Sequence, residues 1–391
     1  MPSTPASNPP ASGAVDLFTL LRDGVPRSRA ELAAATGLSR ATIGGRVDAL
    51  LAAGLIAPAG APESAGGRPS FRFGINPEAG VVGAIDVGAT HLAVGLVDLT
   101  AHLVASATEP VPLAEDPAET LALAARLLED LLRRHGMPSE RLLAIGLGLP
   151  GPVDSRTGRP VNPPIMPGWN GVDVAALLRE HLDVPVLVDN DVTLMALGER
   201  SAAWPDVDDM IVVKVATGIG SGLILGGRVH RGARGIAGDI GHAPLASPES
   251  VRCRCGNLDC LEAHAGWPAI IRQLGRAEIT TGEHVLELVQ SGDSEAIQHI
   301  RQAGREIGEV LTTVVQLVNP AVIVLAGSMT AAGEHVLAGV REAVYQRSAP
   351  LATDELRIVA STLGAQVALI GGGMLALEAA LAPERVAAMI G

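Results

Sequence analysis

The sequence predicts a mixed α/β protein, two similar lobes behind a small helical head. Three features carry the prediction. Beyond residue 80, apolar strand-like runs alternate with helical stretches in two comparable halves. Ahead of residue 78 lie two short helices joined by a glycine turn, then two strand-like runs. All three cysteines, Cys253, Cys255 and Cys260, fall in one short window of the second half.

Composition narrows the classes. A chain of 391 residues suffices for two or three domains, and 48% hydrophobic with only 2% aromatic residues demands an aliphatic core. No apolar run reaches the ~18–20 residues of a membrane span, so no membrane partner is expected. Residues 1–13, rich in Pro, Ser and Ala, read as a disordered tail. They lack the basic start and apolar core of a signal peptide, and a cytoplasmic protein is expected. The net charge of −13, taken whole, argues against nucleic-acid binding. Residues 1–73, however, hold seven arginines against five acids, a net of +2, which leaves −15 for the remainder. A weakly basic head on an acidic body suits a DNA-reading module.

In the head, a first helix is expected from Val15 to about Asp23, ended by Gly24 and Pro26. Ser28 with Glu31 three residues on is a capping box, opening a helix over Arg29–Thr36, and Gly37 turns the chain. Ser39 caps the next helix, Arg40 to about Ala53, with Ile43, Val47, Leu50 and Leu51 inward at helical spacing. Leu55–Ala61 and Ser70–Ile75 suit a two-stranded wing, with Gly66-Gly67-Arg68-Pro69 between them. This is a helix-turn-helix layout, and the pattern alone suits a DNA or a protein partner equally. Gly44 and Gly45 inside the second helix cost roughly 1 kcal/mol each relative to Ala. A close approach to a DNA backbone would account for them.

In the body, residues 81–98 read as two strands around Asp86-Val87-Gly88-Ala89-Thr90. Such a turn can offer backbone N–H groups and a carboxylate to a phosphate or its Mg²⁺, although a plain buried hairpin reads the same. Residues 117–136 form an apolar-faced helix, Leu143–Leu149 a strand, and Pro- and Gly-rich loops carrying Trp169 follow. The strand Val184–Val188 delivers Asp189-Asn190-Asp191 at its carboxyl end, where α/β folds place ligand crevices. Asp191 reads equally as the N-cap of the helix through Glu199. Met210–Ala216 is a strand feeding Thr217-Gly218-Ile219-Gly220-Ser221-Gly222, a phosphate cradle or an empty glycine hairpin. Ala321–Leu325 is a later strand, and a helix around Ala368–Ala382 packs back on the first lobe. His242, Cys253, Cys255 and Cys260 make a complete tetrahedral set for Zn²⁺ with no open position for a catalytic water, hence a structural site. A disulfide would leave one thiol unpaired.

Gly-Asp-Ile-Gly-His at 238–242, followed by Cys-x-Cys-Gly-x-x-x-Cys-Leu-Glu at 253–262, resembles the signature of the ROK family of repressors, open reading frames and sugar kinases. The resemblance covers nearly all of residues 14–391. It implies an actin-like (ribonuclease H-like) two-lobed sugar-kinase fold preceded by a winged helix-turn-helix DNA-binding domain. The divisions expected are a tail over 1–13, the head over 14–78, a first lobe over 80–190, and a second lobe with the zinc loop over 191–391. The cleft would bind a sugar or sugar phosphate through Asn190, Asp191, Asp239, His242 and Glu262. In a kinase, Asp191 would be the general base, and Mg²⁺ and ATP would sit on Asp86, Gly88, Thr90, Thr217 and Gly218. Arg40, Thr42 and Arg46 would face the major groove, and Arg68 a narrow minor groove. The chain departs from the family pattern where Asp239 replaces Glu, where Asp259, Ala89, Ala216 and Ala326 replace Gly, and where His91 replaces Lys. The function implied is a sugar-responsive transcriptional regulator of carbohydrate genes, a repressor acting on double-stranded operator DNA as a homodimer or homotetramer. The alternative is an ATP-dependent sugar kinase with a DNA-binding head.

Overall fold

The computed structural model describes residues 10–63, 70–111, 116–246 and 250–391. The head is α1 (Pro10–Leu21), β1 (Arg27–Ser28), α2 (Arg29–Thr36), α3 (Arg40–Ala52), β2 (Ile56–Glu63) and β3 (Ser70–Ile75). Its three strands pair antiparallel in the order β1-β3-β2. The capping box is formed: Glu31 N donates to Ser28 Oγ at 3.2 Å, and Ser28 N donates to Glu31 Oε2 at 2.8 Å. Ser39 Oγ accepts from Thr42 N at 3.2 Å and so starts α3.

One expectation for the head is corrected. α1 begins at Pro10, not Val15, so the last four residues of the expected tail are helical. Proline is tolerated in a first turn, whose N–H groups have no helical partner. Arg46 on α3 is half-buried. A Cβ added at Gly13 would stand 2.2 Å from its guanidinium carbon, so the side chain lies back on α1. Arg40 and Thr42 are exposed on α3, and Arg68 lies outside the described residues.

The first lobe contains β4 (Val81–Val87), β5 (Leu92–Asp98), β6 (Leu103–Glu109), α4 (Pro117–Arg134), β7 (Leu142–Leu149), a short hairpin of β8 (Val153–Asp154) and β9 (Arg159–Pro160), α5 (Val174–Arg179) and β10 (Val186–Asn190). Its sheet order is β10-β7-β4-β5-β6. After α6 (Asp191–Ala202), the second lobe has β11 (Met210–Val215), β12 (Ile219–Leu225), β13 (Arg228–Val229), α7 (Leu261–Ala265), α8 (Trp267–Leu274), α9 (Gly282–Gln290), α10 (Ser294–Val318), β14 (Val322–Ala326), α11 (Glu334–Arg347), α12 (Pro350–Thr353) and β15 (Arg357–Ala360). Its sheet order is β13-β12-β11-β14-β15. Counted within its own lobe, each sheet therefore runs 5-4-1-2-3. Strands 1–3 form an antiparallel meander, and strands 4 and 5 are parallel to strand 1. The segment carrying the cysteines is the long crossover between the third and fourth strands of the second lobe, where the first lobe has only α4.

Two helices join the lobes. α6 follows the fifth strand of the first lobe and packs on β11 and β12 of the second, and α13 (Val367–Ala380) follows the fifth strand of the second and packs on β4 and β7 of the first. Glycines let them touch backbone to backbone. A Cβ at Gly371 would stand 1.7 Å from Leu194 O, and one at Gly198 would stand 2.1 Å from Val367 O. The chain ends in α14 (Pro383–Ile390). One apolar cluster fuses head and body: Leu17, Phe18 and Leu50 of the head share it with Val97, Ala144, Leu377 and Val386. Trp169 is 0% exposed in the first-lobe core and lines no cleft.

Candidate functional site

Asp86 lies near the end of β4, Asn190 ends β10, Asp191 opens α6, Lys214 lies near the end of β11, Asp239 and His242 follow β13, and Glu262 is on α7. Asn190 is the residue that caps α6: its Oδ1 accepts from Val192 N at 3.1 Å and Thr193 N at 3.3 Å. Its amide donates to Gly151 O at 2.9 Å. The Asn190 side chain is thus engaged within the fold, and the capping role that Asp191 could have taken falls to its neighbour. Asp191 is buried at the first turn of α6, where the helix dipole favours an anion. Its Oδ2 accepts from Lys214 Nζ at 2.5 Å.

Lys214 belongs to no motif that the sequence offers, yet it stands in the site. It lies on β11 and is the one lysine in the sequence, beside 28 arginines. Burial works against its charge, but the carboxylates of Asp191 and Asp86 outweigh burial and hold the ammonium above the usual lysine range. A lone lysine in an apolar strand of an otherwise arginine-only chain was the available signal.

Both glycine loops are engaged by side chains of the chain itself. In the first, His91 Nε2 lies 3.3 Å from Asp86 Oδ2, and a Cβ at Gly88 would stand 2.2 Å from His91 Cε1. The imidazole therefore covers the turn, and Thr90 is exposed beside it. Ala89 is not among the described residues with positive φ, so its Cβ causes no backbone strain. In the second loop, Ile219 N donates to Glu262 Oε2 at 3.1 Å, and that carboxylate also sits against Gly218. Burial pushes the Glu262 carboxyl up, opposed by the Ile219 N–H and by His242. Burial likewise pushes Asp239 up against the pull of His242. Asp239, His242, Glu262, Lys214, Asp191 and Asp86 thus form one electrostatically connected set.

His242, Cys253, Cys255 and Cys260 converge, with one ligand atom from each lying within 4.8 Å of every other. Cys253 Sγ is 3.7 Å from His242 Nδ1, and Cys255 Sγ is 3.6 Å from Cys260 Sγ. Metal–sulfur bonds of about 2.3 Å place tetrahedral neighbours about 3.7 Å apart, so the four donors fit a metal ion. A sulfur separation of 3.6 Å excludes a Cys255–Cys260 disulfide here. Burial pushes the Cys260 thiol up to about 12. Asp259 explains its departure from glycine. It adopts φ +59°, a left-handed conformation that short polar residues tolerate. Its carboxylate accepts from Val251 N at 2.7 Å and Ser250 Oγ at 2.9 Å, closing the loop around the cysteines.

A separate cavity of about 600 Å³ lies between Asp189, His230, Arg231 and Glu378. Arg231 Nε donates to Asp189 Oδ2 at 2.7 Å there, so that carboxylate is neutralised by its own partner.

Duplicated 5-4-1-2-3 sheets around a polar cleft define the actin-like class of two-lobed proteins. The ROK family model matches residues 82–379, and the chain belongs to the ROK family. The chain is 26% identical over 360 residues to a xylose repressor of Caldicellulosiruptor bescii, covering 88% of this chain and 90% of that one. It is 28% identical to the DNA-binding transcriptional dual regulator NagC of Escherichia coli, covering 89% and 88%. Among solved structures, a ROK family transcriptional regulator, homologous to the E. coli MLC protein, superposes with a TM-score of 0.79 at 25% identity, covering 97% of this chain and 98% of that one. A ROK family glucokinase from Streptomyces griseus, solved with glucose and AMPPNP, superposes with a TM-score of 0.67 at 25% identity, covering 76% and 99%. The kinase is matched nearly whole by three quarters of this chain. The regulator is matched throughout.

Proposed function

We propose that this protein is a sugar-responsive transcriptional repressor whose head reads operator DNA and whose cleft holds the effector. The observation that carries the reading is the extent of the matches: regulators align through the head, and the glucokinase accounts only for the body. Asp191, Asp239, Glu262 and the outer nitrogen of His242 would meet sugar hydroxyls. Asn190 would shape the site through its cap. Zn²⁺ on His242 and the three thiolates would pin the loop that presents Asp239 and Glu262. Closure of the lobes about α6 and α13 would then move the head relative to its partner in a homodimer or homotetramer. Among the described residues, no single helix is long and apolar enough to cross a membrane, and a cytoplasmic site of action accords with the reduced cysteines.

Gel shift on DNA from the protein's own promoter region tests the reading. A retarded band at low salt that a sugar releases supports it, and no band on any such fragment removes it.

Gly44 and Gly45 supply a sharper test. A Cβ at either would meet nothing within 4 Å, so no packing in the fold requires glycine there. An outside surface that must approach α3 closely would require it. Gly45→Ala is therefore expected to raise stability by about 0.5–1 kcal/mol, as alanine does in a helix. The same change should weaken operator binding at least about tenfold, a loss of 1.4 kcal/mol. Denaturant titration and gel shift on one preparation check both signs.

A further inference from the structure

The cation of this cleft is part of the chain. We propose that Lys214 stands where a metal–nucleotide would have to bind, and that the effector is an uncharged sugar bound without nucleotide. The inference rests on the sugar-binding reading of the cleft and names its ligand class.

Three contacts carry it. A hard divalent cation needs free carboxylate oxygens. Asp86 Oδ2 lies 3.3 Å from His91 Nε2 and is electrostatically coupled to Lys214, and the neighbouring Asp191 has its Oδ2 on the Lys214 ammonium at 2.5 Å. Phosphate needs free backbone N–H groups converging on a concavity. The first candidate loop lies beneath the His91 imidazole. In the second, the Ile219 N–H is already given to Glu262 Oε2 at 3.1 Å.

The charge balance points the same way. Asp86, Asp191, Asp239 and Glu262 stand against Lys214, whose side chain is 24% exposed, His91 at the rim and Arg254 beside Glu262. Three thiolates around one Zn²⁺ would add a further net negative charge beside His242. A phosphoryl group brings about −1.5 to −2 more. Desolvating that charge against four carboxylates is unfavourable, whereas neutral hydroxyls can donate to carboxylates and accept from the ammonium.

Because the chain has one lysine, labelling with lysine carrying ¹³C at the ε carbon gives a single side-chain resonance that reports on the cleft. Full-length protein loaded with Zn²⁺ would be titrated with neutral pentoses and hexoses, with their phosphates, and with Mg²⁺ plus a non-hydrolysable ATP analogue. At least one neutral sugar is expected to shift the resonance, with an affinity that the nucleotide changes by less than about twofold. Its phosphate is expected to bind at least about tenfold more weakly, a difference of one decade in Kd. In Lys214→Met, the same neutral sugar should bind at least about tenfold more weakly than in wild type. The proposal is overturned if the nucleotide analogue moves the lysine resonance, if it tightens sugar binding, if a sugar phosphate binds more tightly than its parent sugar, or if no uncharged sugar produces a shift. Should Lys214→Met fail to fold, the wild-type titration alone still decides. A parallel gel shift separates the two readings: operator binding released by a sugar phosphate would sink this inference and leave the regulator standing. Loss of all DNA binding would do the reverse.

Discussion

Gly371→Ala is expected to destabilise the protein by about 3 kcal/mol or more, because the added methyl group meets backbone that has nowhere to move. The ideal Cβ would stand 1.7 Å from Leu194 O and 3.0 Å from Gly198 N, both on α6. On the other side, α13 is held by the first-lobe sheet, where a Cβ at Gly146 would stand 2.0 Å from Gly372 O. The helix therefore has no free direction of retreat. Either the α6–α13 crossing opens, exposing the apolar surface between the lobes, or α13 lifts from β7. Urea titration followed by circular dichroism reads the loss as a lower midpoint at unchanged slope. A variant within about 0.5 kcal/mol of wild type, the range of ordinary surface substitutions, would show that the crossing tolerates separation.

Removal of Cys260, one of the four converging donors that would hold Zn²⁺, is expected to have the second large effect. Substitutions one shell outside a metal already cost about 10–100-fold in affinity, so Cys260→Ser should lower Zn²⁺ affinity by more than 100-fold. The loop between Asp239 and Glu262 would then lose its anchor, and with it the geometry of two cleft carboxylates. Zinc content by chelator competition and sugar-dependent release of DNA should fall together. Full sugar response in a zinc-free variant would contradict the anchoring role. Proton competition supplies the pH dependence. Burial drives the Cys260 thiol up to about 12, and Cys253 is raised by burial too, so the metal must displace protons from both. Zinc affinity is accordingly expected to fall as pH falls, by up to about tenfold per unit for each thiol deprotonated on binding.

The legible parts of this chain are those with local causes. The capping box at Ser28–Glu31, the Ser39 cap, the alternating apolar runs and the cysteine cluster each depend on residues close in sequence. What escapes depends on encounters between distant segments. β1 has two residues, and only its pairing with β3 makes it a strand. Arg46 is half-buried because α1 reaches it at Gly13, an approach that helical phase does not show. The cap on α6 goes to Asn190 because Gly151 and Leu149 offer carbonyls to its amide. Lys214 carries no motif, since the Asp191 it binds lies 23 residues away on α6. Its scarcity is visible in the sequence, but its partner is not. The glycine loops read equally as phosphate cradles or plain hairpins, because a side chain folding back from His91, or arriving from Glu262, leaves no trace in spacing.

The buried seam between α1 and the body has a practical outcome for anyone cutting this gene. Leu17 and Phe18 are 0% exposed, and they share their surroundings with Leu377 and Val386 from the opposite end of the chain. Severing the chain at residue 78 would bare greasy surface on both fragments, so the reader module is not autonomous. Calorimetry of the intact chain should give one cooperative peak spanning α1–β3 and the first lobe, and limited proteolysis should not liberate an intact amino-terminal fragment.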